Sequence, residues 1–509
     1  MRDIWESRTS FVLASIGSAI GLGNIWRFPY VCYANGGGAF LIPYFVALLT
    51  AGIPIMILEF SLGHRISRPA PMALGNVKKG FEILGWFALL IGFGICTYYA
   101  VVMGWCFNYL GFSVNLAWGQ NTESFFFSQF LKISDSPMQI GGIQWMIVLG
   151  LALTWICVIA SIWKGVKTVG KVVYFTVIIP WVILIVLVVR GVTLPGALEG
   201  LRFYLTPQFS ALLDYKVWLA AYSQVFFSLT IGFGVQITYA SFLPEKADVV
   251  NNAFLVSFAN NATSFLGGFA VFSVLGYYAH QTGLPVSEVV KSGPHLAFVT
   301  YPTIISMLPF AASIFGVLFF LMLLTLGIDS AFSLVEAGAA SVIDKFKLKR
   351  IHANIGFGII AGLIGIIYTT RSGLYWLDIV DYFMNNYGLL VVGILQCFAV
   401  GYFYSHKDVQ NYVNEYPHDR SIFSIPAKII NLRKYANSKS DFTVGAWWDF
   451  CVKYLTPVVV GILFITNIFD RLKSPYGGYS RWAEFLGGWL VIIVFIVVAV
   501  FLYKKKGRE

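Results

Sequence analysis

The run IQWMIVLGLALTWICVIASIW, residues 143–163, carries no charged side chain. About 20 such residues cross a hydrocarbon layer about 30 Å thick as an α-helix. In lipid every backbone N–H and C=O must be satisfied within the protein, which leaves helices or a closed barrel. A run this long without alternation excludes a barrel strand. WLVIIVFIVVAVFLY (489–503) reads the same way, and similar runs recur along all 509 residues. Only 12% of the chain is charged, against about 25% in soluble domains. The chain is expected to be an all-α polytopic membrane protein.

Twelve spans are expected, near 9–33, 38–64, 84–112, 142–162, 170–190, 216–243, 250–280, 308–343, 352–369, 375–404, 445–469 and 483–503. The net charge of +11 is distributed by membrane side, so it does not indicate nucleic-acid binding. Arg65, Arg68, Lys78, Lys79, Lys345, Lys347 and Lys349 fall in loops on one side, which places both termini in the cytoplasm. The first apolar stretch, from Phe11, is interrupted rather than followed by a cleavage site, so no cleavable signal peptide is expected. The six cysteines lie in or beside spans, and no loop disulfide is expected. The sequon at Asn261 lies inside a span, out of reach of glycosylation, which favours a prokaryotic plasma (inner) membrane protein. The polar stretch 405–444 reads as a cytoplasmic linker before two accessory spans and a basic tail at 445–509.

Two spans carry residues that weaken helices. GSAIGLGNIWRFPY (17–30) and SLTIGFG (228–234) both put Gly-x-Gly in mid-span beside polar residues, at Gly21 and Gly23 and at Gly232 and Gly234. One such pair is explained by close helix packing. Two, five spans apart, place the same device in oppositely oriented units, the sign of an inverted-repeat transporter with its site at the bilayer midplane. The repeats are expected at 1–190 and 191–404. Unwound backbone frees carbonyl oxygens suited to an alkali cation, and half-helix N-termini suited to an anion. Asp329 and Ser330 lie deep in span eight, where a carboxylate costs about 2.5–3.5 kcal/mol on insertion scales and calls for a cation. Asn260 and Ser264 share a face of span seven, being four residues apart. Tyr98 and Tyr99 in span three read as ordinary core or interface residues without further context.

With NGGGAFLIPY (35–44) and FFSLTIGFG (226–234), the opening motif resembles the neurotransmitter:sodium symporter family, including its bacterial leucine transporter. The resemblance runs through essentially the whole chain. It implies ten spans in a 5+5 inverted repeat with unwound helices 1 and 6, two accessory spans, and sodium-coupled uptake by alternating access. It implies two sodium sites: the Ala19 carbonyl with Asn24, Ser228, Asn260 and the substrate carboxylate; and the carbonyls of Gly17, Ile20 and Leu326 with the Asp329 and Ser330 side chains. The leucine transporter has threonine where this chain has Asp329, and many animal members have Asp. An acidic residue of chloride-independent bacterial members is replaced here by Ser264. With Tyr44, Gln224, Ser228 and Asn260 this matches chloride-binding animal members, so a chloride site is expected; a water-filled neutral pocket is the alternative.

Gly21 stands where monoamine carriers have Asp, which leaves room for a substrate carboxylate held by Na⁺, the Gly23 backbone and the Tyr99 hydroxyl. The amine is expected at main-chain carbonyls near Phe227 and Ser228 and at the Thr230 hydroxyl. Ile95, Phe227, Phe233, Ala331 and Leu334 would surround an uncharged side chain, aliphatic ahead of aromatic. The resemblance further implies an outer gate of Arg27 and Asp381 with Phe233 as lid, and an inner gate of Arg2 and Trp5 against Asp344. Glu59 and Glu336 are expected to be structural. A membrane enzyme would need a catalytic constellation, and the six histidines (His64, His280, His295, His352, His406, His418) show no metal-ligand spacing. An amino-acid sensor with the same fold, and a chloride-independent carrier of aromatic amino acids, remain as alternatives.

Overall fold

The computed structural model describes residues 4–289, 293–404, 427–505 and 507. Arg2, His406 and His418 lie outside the described residues, as does the linker stretch 405–426. Among the described residues the regular secondary structure is helical.

Helix α1 (Arg8–Ala19) starts at Ser7, whose hydroxyl and that of Ser10 form a reciprocal capping box. It ends at Ile20 in extended backbone (φ −80°, ψ 113°). The chain resumes as α2 (Gly23–Ala34), bent 50° from α1. There follow α3 (Gly38–Ile66), α4 (Lys79–Ser113), α5 (Trp145–Ser161) and α6 (Val166–Val192). Helix α7 (Tyr215–Ser228) stops at a second break and α8 (Val235–Ala240) carries on beyond it. The series closes with α9 (Val250–Thr282), α10 (Ala312–Phe346), α11 (Arg350–Thr369), α12 (Gly373–Phe403), α13 (Ala427–Ser438), α14 (Ala446–Gly478) and α15 (Arg481–Lys504).

Nine of the described helices are long and apolar enough to cross a membrane, or ten if α1 and α2 form one bent span. The sequence-based expectation of twelve also counted α5, an apolar helix of 17 residues, and the α7–α8 pair. Neither half of that pair is long enough, because the six residues between them have left the helix. In the most apolar 18-residue window of α4, 89% is buried inside the protein; in that of α15 the share is 17%. Helix α4 is therefore a central post and α15 a lipid-facing outer one. Helices α1, α4, α6, α9 and α10 pack on one another around both breaks. All six cysteines are free.

Candidate functional site

The polar groups freed at the two breaks find partners across the bundle. The Gly21 N–H donates to Asn24 Oδ1 at 2.9 Å, and the Leu22 N–H to Tyr99 Oη at 3.2 Å. At the second break Thr230 has φ +53°, an outlier for a β-branched residue. Its hydroxyl donates to the Ser18 carbonyl at 2.8 Å and so ties the two breaks together. Gly232, at φ +82°, donates its N–H to Glu59 Oε1 at 2.8 Å, and Gln396 donates to the same oxygen at 3.1 Å. Glu59 of α3 thus holds the second break open, the structural role expected for it.

Between the breaks lies a cavity of about 40 Å³, room for a few waters at the roughly 10–15 Å³ each needs. One wall is backbone and small side chains from the first break: Ala19, Gly21 and Gly23. Tyr99 and Ser330 close a second side, and Ser228 and Thr230 a third. Ile95, Phe227, Phe233 and Leu334 supply the apolar part. No charged side chain lines it among the described residues. Ser18 and Asn24 also line it and were not expected to. Ala331 is buried but does not line it: Ser330 and Leu334, four apart, share the cavity face of α10, and Ala331 is turned about 100° from Ser330. The donated Thr230 proton leaves that hydroxyl's lone pairs as acceptors for an ammonium group.

Beside the cavity, oxygens outnumber protons. Asn24 Nδ2 has four acceptors within reach: Ser264 Oγ at 2.8 Å, Asn260 Oδ1 at 2.9 Å, and Ser228 Oγ and the Asn260 carbonyl at 3.3 Å. An amide nitrogen carries two hydrogens. With Oδ1 turned toward Asn24, that oxygen of Asn260 lies 3.2 Å from the carbonyl oxygens of both Ala19 and Ser228. Three acceptors facing one another repel unless a cation sits among them or the amide is reversed. Asn24, Ala19, Ser228 and Asn260 are therefore brought together in one nest, whose Ala19, Ser228 and Asn260 oxygens suit a hard cation, while Asn24 presents its Nδ2, its Oδ1 being taken by the Gly21 N–H.

The second nest is built on Asp329. Its side chain is buried and neither carboxylate oxygen has a hydrogen-bond partner among the described residues. A Cβ on Gly17 would fall 2.5 Å from Asp329 Oδ2, so the missing side chain of Gly17 is what admits the carboxylate beside the backbone of α1. Ser330 Oγ faces the Ile20 and Ser18 carbonyls at 3.3 and 3.4 Å. Leu326 stands about one turn before Asp329 on α10. A carboxylate buried without a formed hydrogen bond is costly; the Thr176 hydroxyl stands beside it but donates to the Val172 carbonyl at 3.1 Å.

A third group lies behind the first nest. Tyr44 Oη, near the Ser264 and Ser228 hydroxyls, and both polar atoms of Gln224 are buried without hydrogen-bond partners among the described residues. The Tyr44 hydroxyl and the Gln224 Nε2 amide group are donors with no charge of their own.

At the outer gate the two charged residues are not in direct contact. Arg27 and Asp381 form no direct ion pair: Asp381 Oδ1 accepts from Tyr98 Oη at 2.6 Å and from Asn385 Nδ2 at 2.9 Å, while the Arg27 guanidinium lies over the Phe227 ring, 4.6 Å from its centroid. Two short hydrogen bonds satisfy the carboxylate, and the aromatic face takes the cation. Tyr98, read from sequence as packing, is the outer contact. It neighbours Tyr99 but is turned 100° around α4, so a pair read as one feature serves two sites. Phe233 lines the cavity and is buried. On the other side Trp5 Nε1 donates to the Tyr239 carbonyl at 2.9 Å, and Asp344 meets Arg68 at 3.5 Å. Glu336 pairs with Arg350 at 2.6 Å. Among the described residues no group of three or more His, Cys, Asp or Glu side chains is placed to hold a metal ion.

The family model of the sodium:neurotransmitter symporter family matches residues 2–124 and 119–508. An uncharacterized sodium-dependent transporter of Methanocaldococcus jannaschii is 42% identical, over 99% of this chain and 98% of its own length. The human sodium- and chloride-dependent GABA transporter 2 is 34% identical, over 97% of this chain and 84% of its own. The bovine sodium- and chloride-dependent taurine transporter is 32% identical, over 99% and 86% respectively.

Proposed function

The chain belongs to the sodium:neurotransmitter symporter family, and from that premise we propose that it accumulates a small neutral amino acid by symport with two sodium ions and a chloride. The observation that carries the reading is the partnerless Asp329 carboxylate, abutting Gly17 beside the unwound end of α1. A protein that bears this cost in every molecule has a use for a cation there. Asn24, Ala19, Ser228 and Asn260 would hold a second sodium next to the cavity, close enough to complete its shell with the substrate carboxylate. The uncharged lining supports a zwitterion with an apolar side chain, and the small volume supports an aliphatic one over an aromatic one. The names of the relatives add a second reading, in which the amine and acid are further apart, as in GABA or taurine.

Tyr44, Gln224, Ser228, Asn260 and Ser264 would hold chloride. Two buried sodium ions beside only one fixed carboxylate leave a positive excess that an anion offsets. Two Na⁺, one Cl⁻ and a zwitterion move one net charge inward, worth about 2.3 kcal/mol per 100 mV. Counting α1–α2, α5 and α7–α8 as spans makes twelve with both termini cytoplasmic, and the two breaks then occupy matching places in a 5+5 inverted repeat.

Uptake into proteoliposomes tests this, with a panel of labelled glycine, alanine, leucine, phenylalanine, GABA and taurine in sodium chloride, choline chloride and sodium gluconate. Accumulation of a neutral α-amino acid only with both ions is the expected result. Ser264→Glu, which supplies fixed negative charge, should then keep uptake in gluconate. Uptake undiminished in gluconate by the unaltered protein removes the chloride site, and uptake in choline removes sodium coupling.

A further inference from the structure

A cleft of about 670 Å³ opens between α11 and α15, within the roughly 300–1,000 Å³ of small-molecule pockets. Its floor is α4 at Phe93, Gly94 and Thr97, and its walls include Leu363 and Ile367 of α11 and Leu490 and Val494 of α15. Leu363, Ile367 and Val494 are also exposed on the outside of the bundle, so the cleft faces the surrounding lipid. The polar groups inside are already satisfied. The Thr97 hydroxyl donates to the Gly94 carbonyl at 2.6 Å, the Thr370 hydroxyl to the Ile367 carbonyl at 2.7 Å, and Trp376 Nε1 to the Pro137 carbonyl at 3.0 Å. What remains is an apolar surface, which selects a hydrocarbon occupant over a polar one.

The mouth of the cleft is built and carries the cation Arg371, with Asp135 in the loop beside it. The Ser134 N–H donates to the Arg371 carbonyl at 3.1 Å and the Ser372 N–H to the Ile140 carbonyl at 3.2 Å, strapping the preceding loop across it. Thr370 and Ser372 line the cleft. Between them Arg371 is exposed and has no ion-pair partner among the described residues. Two strongly exposed tryptophans stand at the same end: Trp145, beside the Ile143–Thr370 bridge, and Trp482, four residues before the lining Leu486. Exposed tryptophans mark the membrane–water interface, the depth of lipid headgroups.

We propose that this cleft binds one anionic glycerophospholipid, with its phosphate at the Arg371 guanidinium and one tail between α11 and α15. Guanidinium and phosphate pair in a bidentate fork, and the tail covers apolar surface on three helices. The tail would touch Tyr368, whose ring meets Tyr98 edge-on at 6.2 Å, directly behind the Tyr98–Asp381 contact.

The test is native mass spectrometry of the delipidated full chain, supplied with phosphatidylglycerol or with phosphatidylcholine of identical tails. One retained phosphatidylglycerol is expected, preferred over phosphatidylcholine about tenfold, with Arg371→Gln abolishing the preference. Leu490→Trp and Val494→Trp, which fill the cleft, should each lower retention about tenfold. Ile462→Trp, on the lipid-facing side of α14, should not. Thermal unfolding without lipid identifies a filling variant that has lost its fold, and the other then decides. Equal retention by the filling variants and Ile462→Trp shows an annular lipid only and overturns the proposal. So does a wild-type chain that retains both lipids alike.

Discussion

Helix α10 carries two buried carboxylates about two turns apart, and they have been treated in opposite ways. Glu336 receives the Arg350 guanidinium at 2.6 and 2.9 Å. Asp329 receives no formed hydrogen bond among the described residues, and its neighbours are the bare Gly17 and the Thr176 hydroxyl, with no cationic side chain. One acid has a cation built into the chain; the other has none among the described residues. A cation that never leaves makes a fastening. A carboxylate whose cation comes from outside can be loaded and unloaded, as a coupling site must be. Glu59 lies between these cases, with one oxygen holding Gly232 and Gln396 and the other unpartnered.

The contrast can be broken at four places. Asp329→Asn keeps the shape and removes the charge; sodium-dependent substrate binding should weaken about 100-fold or more, from the about 3–5 kcal/mol lost when one partner of a buried charge pair is removed. The melting temperature without sodium should stay level or rise. A collapse of the fold with sodium affinity intact would make Asp329 a fastening like its neighbour.

Glu336→Gln should do the reverse. It removes the charge that the Arg350 guanidinium meets at 2.6 Å, at a cost of about 1–3 kcal/mol of stability, seen as a lower melting temperature in detergent. Sodium affinity of the folded fraction should not change. Gly17→Ala is smaller. Its methyl group would crowd Asp329 Oδ2 and Val177 Cγ2, so sodium affinity should fall about tenfold, with about 1–3 kcal/mol of stability lost to overpacking. Unaltered sodium dependence in this variant would mean that the carboxylate does not use that space.

Tyr98→Phe should have the smallest effect. It removes one hydrogen bond to Asp381, about 0.5–1.5 kcal/mol, and should speed release of bound substrate to the outside by up to about tenfold. No change in the release rate would return Tyr98 to ordinary packing.

Much of the site could be read from residue types, because glycine pairs, a mid-span Asp and clustered amides are all expensive in lipid and rarely occur without a use. Tyr98 and Arg68 could not, since each acts on an acid far away in the chain, and Arg350 could not although Glu336 lies only 14 residues before it. Arg350 looked like an ordinary positive loop residue, and only the return of α11 against α10 brings it to Glu336. Arg27 and Asp381 are not in direct contact, for a related reason. Opposite charges at plausible depths predict attraction, but an aromatic face and two nearer donors were better placed than either charge was for the other.

The chain's own order of residues settled that it spans a membrane as helices, where two of those helices break, and which polar groups stand inside the bundle. These follow from local costs: apolar length, glycine's freedom and the price of a polar atom in oil. Which acid found a partner and which was left open was decided only when the helices packed. Ser18 meeting Thr230, Gly17 making room for Asp329, and the lipid-facing cleft between α11 and α15 are contacts between segments that local sequence does not connect. They exist because the bundle closes around them.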